Sequence, residues 1–287
     1  MTALTSELGE RGASPPPLSV DLHGSATGPG GLARAVWAHR ELLGILARKE
    51  FHVRYRRATF GVLWAVALPV LQSLVLAVVF SKVAHIRHAS HYPVFVLSGM
   101  AAWLYFAMAL AGGSTSIVDG SDLSSRVYFP RILLPLVQVA TNLYGLLVTV
   151  GVLVALSPVL GVGLGSGLVY LVPGVVVLVL VTAGFVLVAS ALHVYFRDIR
   201  YVVSAALMMW MYVTPVIYPP ADTHGPLRAA ILANPLTGVV ELFHASTVGA
   251  TVSLAAAVSV SLAWAAVLLV AGVSLHSRFD RVFADLL

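Results

Sequence analysis

The chain is predicted to be all-α: a polytopic membrane protein with six transmembrane helices, an N-terminal amphipathic interface helix and short extracytoplasmic re-entrant helices. Three observations carry that expectation. Of 287 residues, 59% are hydrophobic and only 10% are charged. The apolar residues fall into stretches of membrane-spanning length, and Lys and Arg are divided unequally among the segments between them. A soluble domain carries roughly 25% charged residues; a globular interior has no room for so much apolar surface, whereas a bilayer does.

Residues 1–31 contain Ser14-Pro15-Pro16-Pro17 and Gly28-Pro29-Gly30-Gly31 and lack hydrophobic periodicity, which reads as a disordered tail. They hold no basic stretch followed by a short apolar run and a small-residue cleavage site, so the first apolar segment, near Phe60, is expected to stay as an anchor. On a wheel of about 100° per residue, Leu32, Val36, Leu42, Leu43, Leu46 and Val53 share one face, with Arg34, Glu41, Arg48, His52 and Arg56 opposite. Residues 32–59 are therefore predicted as an amphipathic helix at the cytoplasmic interface, its cations drawn to anionic headgroups.

Residues 60–287 form the transmembrane domain, with spans at 60–81, 93–112, 132–157, 168–192, 202–218 and 250–275. A bilayer requires about 20 apolar residues per helix. The fifth span is short and the third is interrupted by Pro135, Gln138 and Asn142, so five spans plus a re-entrant segment is the alternative. Residues 113–131 are polar and suit a short cytoplasmic helix that Asp119, Ser121 or Asp122 could cap. The longest outer loop, 218–249, is broken by Tyr218-Pro219-Pro220 and Asn234-Pro235. Its pieces 226–233 and 236–247 are too short to span and suit re-entrant or interfacial helices.

Orientation follows from the cations. Arg40, Arg48, Lys49, Arg54, Arg56 and Arg57 precede span one, Arg126 and Arg131 follow span two, Arg197 and Arg200 follow span four, and Arg278 and Arg281 follow span six. Those twelve oppose Lys82, Arg87 and Arg228 on the other side. The positive-inside rule places the twelve, and both termini, in the cytoplasm. Charge gathered before the first apolar run orients a membrane protein; it does not point to nucleic acid.

Several chemistries are excluded. Without cysteine there is no disulfide, thiolate metal site or cysteine nucleophile. The two lysines, Lys49 and Lys82, do not follow glycine, so no Gly-Lys-Ser/Thr phosphate loop exists. No His-Glu-x-x-His or Gly-x-Ser-x-Gly motif occurs, and His85, His88 and His91 lack an acidic partner nearby and read as a solvated loop. The spans contain essentially no ionisable residue, which argues against an ion-coupled carrier. Gln72, Gln138 and Asn142 read as interhelical hydrogen-bonding residues.

The run Arg54-Tyr55-Arg56-Arg57-Ala58-Thr59-Phe60-Gly61-Val62-Leu63-Trp64 leads through a basic stretch and a Gly-x-Leu-Trp element to Pro69 within the first span. Together with Tyr195-Phe196-Arg197-Asp198-Ile199 and the late Asn234-Pro235, it resembles the type-2 ABC exporter permeases, most of all the branch exporting lipid-linked polysaccharides and teichoic acids. The resemblance covers about residues 35–287, and the Pro/Gly-rich N-terminal extension departs from it.

That resemblance implies a transport subunit in the bacterial cytoplasmic (inner) membrane, not an enzyme. Two copies would form the pore above two copies of a nucleotide-binding ATPase, which would bind the ATP and Mg, leaving this chain no cofactor. The cargo would be a lipid-linked glycan of O-antigen, galactan or teichoic-acid type. The docking elements would be 32–57 and 113–131, with Arg48, Arg54, Arg56, Arg57, Asp119, Asp122, Arg126, Arg131, Arg197 and Asp198 as ATPase-coupling candidates. Arg197 and Asp198 could instead pair with each other and brace the bundle. A glycan path is served by aromatic faces that stack on sugar rings, which gives Trp64, Trp103, Tyr105, Phe106, Tyr144, Trp210 and Tyr212 as channel candidates. Interfacial belts are the other common use of Trp and Tyr. The alternatives are a drug or small-lipid efflux permease of the same superfamily, or a polytopic enzyme acting on a lipid-linked substrate through Asp119, Asp122 or Asp198.

Overall fold

The computed structural model describes residues 29–56, 59–82, 91–120 and 130–286, and among them every regular element is helical. In chain order these are α1 (Pro29–Ala38), α2 (Arg40–Tyr55), a 3₁₀ turn (Gly61–Leu63), α3 (Trp64–Lys82), α4 (Tyr92–Asp119) and α5 (Leu133–Val159). A 3₁₀ turn (Ser166–Tyr170) leads into α6 (Leu171–Tyr195), then α7 (Ile199–Val213), a 3₁₀ turn (Pro220–Asp222), α8 (Gly225–Ala233), α9 (Thr237–Ala245) and α10 (Leu254–Leu286). Four stretches, Tyr92–Asp119, Leu133–Val159, Ser166–Tyr195 and Leu254–Arg278, are long and apolar enough to cross a bilayer; Ala67–Phe80 and Ile199–Val213 are apolar but shorter.

Small residues build the centre. α6 and α10 lie so close that a Cβ on Gly184 would sit 2.7 Å from Leu268 Cβ, and one on Gly272 2.6 Å from Leu187 Cβ. On another side of α6, a Cβ on Gly113 of α4 would meet Val186 at 2.5 Å. Lipid offers helices no hydrophobic drive to associate, so this backbone-close van der Waals packing is what holds them.

The polar stretch expected to begin a cytoplasmic loop at 113 instead continues α4 to Asp119, which is the helix's last residue and not the cap of a new one. The Ser114 and Ser116 hydroxyls donate to the carbonyls of Ala111 and Gly113, so the helix absorbs them without needing water. The continuation of that expected loop, with Ser121, Asp122 and Arg126, lies outside the described residues, as do residues 1–28 of the expected tail, Arg57, His85 and His88; Pro29, Gly30 and Gly31, expected in the tail, begin α1. Pro135 leaves α5 intact because it falls in the first turn, where a missing N–H costs nothing.

The amphipathic segment is two helices, broken at His39. Leu42, Leu43 and Val36 pack against Leu133 and Leu134 of α5, while Arg34, Glu41, Arg48, His52 and Arg56 are exposed. Val53, expected on the apolar face, is 57% exposed, and Ala47 is the residue α2 buries. Although α2 precedes α3 in sequence, it docks across α5.

The fifth apolar stretch is helical only to Val213. Residues 214–218 are unwound, yet Thr214, Val216 and Ile217 are buried. Irregular backbone at such depth persists only where protein satisfies it, and side chains do so here. Tyr92 Oη donates to the Ile217 carbonyl at 2.7 Å, and Tyr218 Oη donates to the Tyr212 carbonyl at 3.0 Å. Asn234, in the elbow between α8 and α9, accepts from Trp210 Nε1 at 3.2 Å and from the Leu236 amide at 3.0 Å, and donates to Thr214 Oγ1 at 3.1 Å.

α9 carries a buried carboxylate. Glu241 accepts the Thr251 amide at 2.8 Å and the Thr251 hydroxyl at 2.9 Å, with His244 Nδ1 at 3.5 Å. Burial, the largest single influence, pushes the Glu241 carboxyl up, but His244 and Thr251 together outweigh it and hold the group below its ordinary value. A depressed folded-state pKa stabilises above the unfolded value and loses that contribution as pH falls through the folded one. Thermal stability in detergent is therefore expected to drop on acidification below about pH 4. Glu241→Gln should begin about 1–3 kcal/mol lower at neutral pH and lack that drop. A parallel acid profile for the variant would assign the loss elsewhere.

Candidate functional site

The two ends of the bundle are marked by contacts. At one, Arg200 of α7 meets Asp119 of α4 at 3.4 Å; at the other, His91 Nδ1 donates to the Leu160 carbonyl at 3.1 Å. The first end also holds α2, and the cationic residues gather there. Arg200, not among the coupling candidates, is the partner Asp119 finds; both are exposed, so the pair contributes at most about 1 kcal/mol. Arg197 and Asp198 are exposed in the turn between α6 and α7, and Arg131 is half-buried just before α5. Arg48 and Arg56 are exposed on the outer face of α2.

Arg54 behaves differently. It is half-buried and points from α2 into the seam with α5, where Nη1 donates to Asn142 Oδ1 at 2.8 Å and Nη2 to Gln138 Oε1 at 3.3 Å. Hydrogen bonds from a charged donor contribute about 1.5–3 kcal/mol each. Two more contacts close the seam: Thr141 Oγ1 donates to the Ala47 carbonyl at 3.3 Å, and the Phe51 and Tyr144 rings lie 5.5 Å apart.

Beside this guanidinium is a cavity of about 320 Å³ between α2, α3, α4 and α5. Phe51, Trp64, Leu68, Tyr105 and Met108 give it apolar walls, and Arg54, Gln72, Asn142 and Thr149 supply its polar points. A groove of about 460 Å³ lies alongside, lined by Leu71, Gln72 and Val75 of α3, Trp103 and Leu104 of α4, and Met211 of α7. Gln72 and Leu104 line both. The combination is one cationic head, flanking amides and a long apolar bed, which matches an anion carried on a hydrocarbon chain.

The aromatic candidates separate by place. Trp64 and Tyr105 line the cavity and Trp103 the groove. Phe106 and Trp210 pack edge-to-face with Phe185 inside the helix bundle, at 5.1–5.5 Å between centroids. Tyr144 and Tyr212 are exposed. Sequence reasoning named Arg54, Gln138 and Asn142 singly; what it missed was their convergence, across 84 and 88 residues of chain. Among the described residues no group of three or more His, Cys, Asp or Glu side chains could hold a metal ion.

Comparison with known proteins gives the family. The O-antigen export system permease protein RfbA of Myxococcus xanthus is 32% identical over 247 residues, covering 82% of this chain and 93% of that protein. Its namesake from Klebsiella pneumoniae is 26% identical over 248 residues, covering 86% and 95% respectively. The family model described as ABC-2 type transporter matches residues 41–248, which include α2, the cavity, the Asn234 elbow and α9. The chain belongs to the ABC-2 type transporter family.

Proposed function

We propose that this chain is the membrane subunit of an ATP-driven exporter that moves a lipid-linked polysaccharide from the cytoplasmic to the outer side of the membrane. The observation that carries the reading is the Arg54 cavity, which sits at the cation-rich end and joins a cationic head to an apolar bed. A glycan built on a membrane phosphate presents the complementary pair, an oxyanion and a hydrocarbon chain. The relatives named as O-antigen export permeases support the same cargo class.

In this reading α3 and α7 join the four longer helices as six spans, both termini are cytoplasmic, and α8 and α9 form an outer re-entrant pair. The positive-inside distribution supports that orientation. Two copies form the pore, and a separate ATPase docks on α2, on the segment after α4 and on the turn before α7. ATP hydrolysis belongs to that partner, since this sequence has no phosphate-binding loop.

Depletion in a bacterium that makes the glycan is the test, with lipid-linked intermediates assigned to each leaflet. Glycan is expected to accumulate on the cytoplasmic leaflet, and unchanged export with lost drug resistance would replace this reading by an efflux permease. Complementation with Arg54→Ala is expected to lower export about ten- to hundredfold, the equivalent of one lost charge-assisted hydrogen-bond set, with Arg54→Lys falling between.

A further inference from the structure

Among the described residues, no carboxylate lies within ion-pairing distance of Arg54. Its partners are neutral amide oxygens, and the two ion pairs found among the described residues, Arg200–Asp119 and His244–Glu241, lie elsewhere. Gln138 and Asn142 stand one turn apart on α5, and Asn142 Nδ2 donates to the Gln138 carbonyl at 2.7 Å. That bond fixes the amide so that Oδ1 faces the guanidinium. The charged part of the fastening of α2 to α5 is thus an arginine on two neutral acceptors, next to an open cavity, with the Thr141–Ala47 bond beside it.

Such a fastening is exchangeable. The amide bonds are already charge-assisted from the arginine side, but a phosphate adds the opposite charge and meets arginine in a bidentate fork that neutral amides cannot match. A phosphate seated in the cavity that takes the Nη1/Nη2 fork of Arg54 competes for it with Gln138 and Asn142, which hold one N–H on each nitrogen. A ligand shifts a conformational equilibrium only through its differential affinity for the two states; here the difference is whether Arg54 is free to turn toward it.

We propose that Arg54, Gln138 and Asn142 form a substrate-sensing latch: a lipid-borne phosphate draws Arg54 off the two amides, unfastens α2 from α5, and so reports an occupied cavity to the ATPase docked on α2. The inference rests on the proposed cargo site and adds its regulation. Gln138 and Asn142 are positioning residues that act through Arg54.

The test uses the permease–ATPase complex in lipid nanodiscs with a polyprenyl diphosphate as probe and the unphosphorylated polyprenol as control. Probe binding, ATPase rate and cross-linking of an Ala47→Cys/Thr141→Cys pair are measured separately; the chain has no cysteine of its own, so the pair reports cleanly. The diphosphate is expected to bind, raise ATPase several-fold and lower cross-linking, and the polyprenol to do none of these. Gln138→Leu, which loosens the fastening from outside the cavity lining, should bind the probe at least as tightly, hydrolyse ATP faster than wild type without it, and cross-link less. Asn142→Asp, an ionised acceptor, should do the reverse, weakening probe binding and lowering stimulation.

Probe binding with ATPase and cross-linking unmoved would overturn the latch and leave the cargo site standing. No binding of the diphosphate would overturn both. Full stimulation by discs rich in phosphatidylglycerol alone would also overturn the latch, since bulk anionic lipid would then hold it open.

Discussion

Gly238→Val is expected to remove the folded permease from detergent extracts. α9 crosses the N-terminal end of α10 at this residue, and a Cβ there would overlap the Ala257 carbonyl oxygen and come within 2.7 Å of Ser261 Oγ. The first obstacle is backbone, which cannot rotate aside as a side chain can, so α9 would have to lift. Lifting it withdraws Val239, Val240, Leu242 and Phe243, all buried, and breaks the Glu241–Thr251 contacts that close the turn into α10. Overpacking alone costs about 1–3 kcal/mol, and the lost contacts bring the total above about 4 kcal/mol, the range reserved for named structural failures. Fluorescence-detected size-exclusion chromatography and a melting curve read the outcome. Gly44→Ala is the matched control, because nothing lies within 4 Å of its Cβ position on α2, and it should be neutral or gain about 0.5–1 kcal/mol from helix propensity. A wild-type melting temperature for Gly238→Val would show the α9–α10 crossing to be far looser than drawn.

Asn234→Leu is the second large effect. The substitution keeps the branched shape and the number of side-chain heavy atoms and removes four polar contacts at once: Trp210 Nε1, the Leu236 amide, Thr214 Oγ1 and the Val213 carbonyl each lose a partner. Each buried group left unsatisfied costs about 1–3 kcal/mol, so several kcal/mol are at stake where backbone is already unwound. Asn234→Asp retains the two acceptor functions and loses the donors, and should fall between. Equal stability of all three proteins would mean that water replaces the side chain, which the burial of Asn234 and Thr214 argues against.

The long apolar helices were legible because a bilayer demands them residue by residue. The local rule failed where a residue was satisfied by something distant or by its own helix. Ser114 and Ser116 look like loop signals, but their hydroxyls turn back to α4, so the helix runs on to Asp119. Hydropathy continues through Thr214-Pro215-Val216-Ile217-Tyr218, but α7 stops at Val213, because Tyr92 and Asn234 stand ready to satisfy an unwound chain. The stripe on α2 was half right: Leu42 and Leu43 found α5, but Val53 faces outward. Gln138 and Asn142 were legible as hydrogen-bonding residues between helices, not as partners of Arg54, since no periodicity encodes a contact between α2 and α5.

The ends of α7 are held very unequally. Its C-terminal end is riveted through Trp210, Val213 and Thr214 to a buried asparagine, while at its N-terminal end the side-chain contact to α4 found among the described residues is one exposed ion pair. A rod fixed that way has a pivot. With 15 residues it is roughly 22 Å long, so a tilt of about 15° swings the N-terminal end by roughly 6 Å, about one helical turn. Small rotations beside Asn234 and long strokes beside Asp119 are then the same movement, and the gearing between them is set by where the chain chose to unwind.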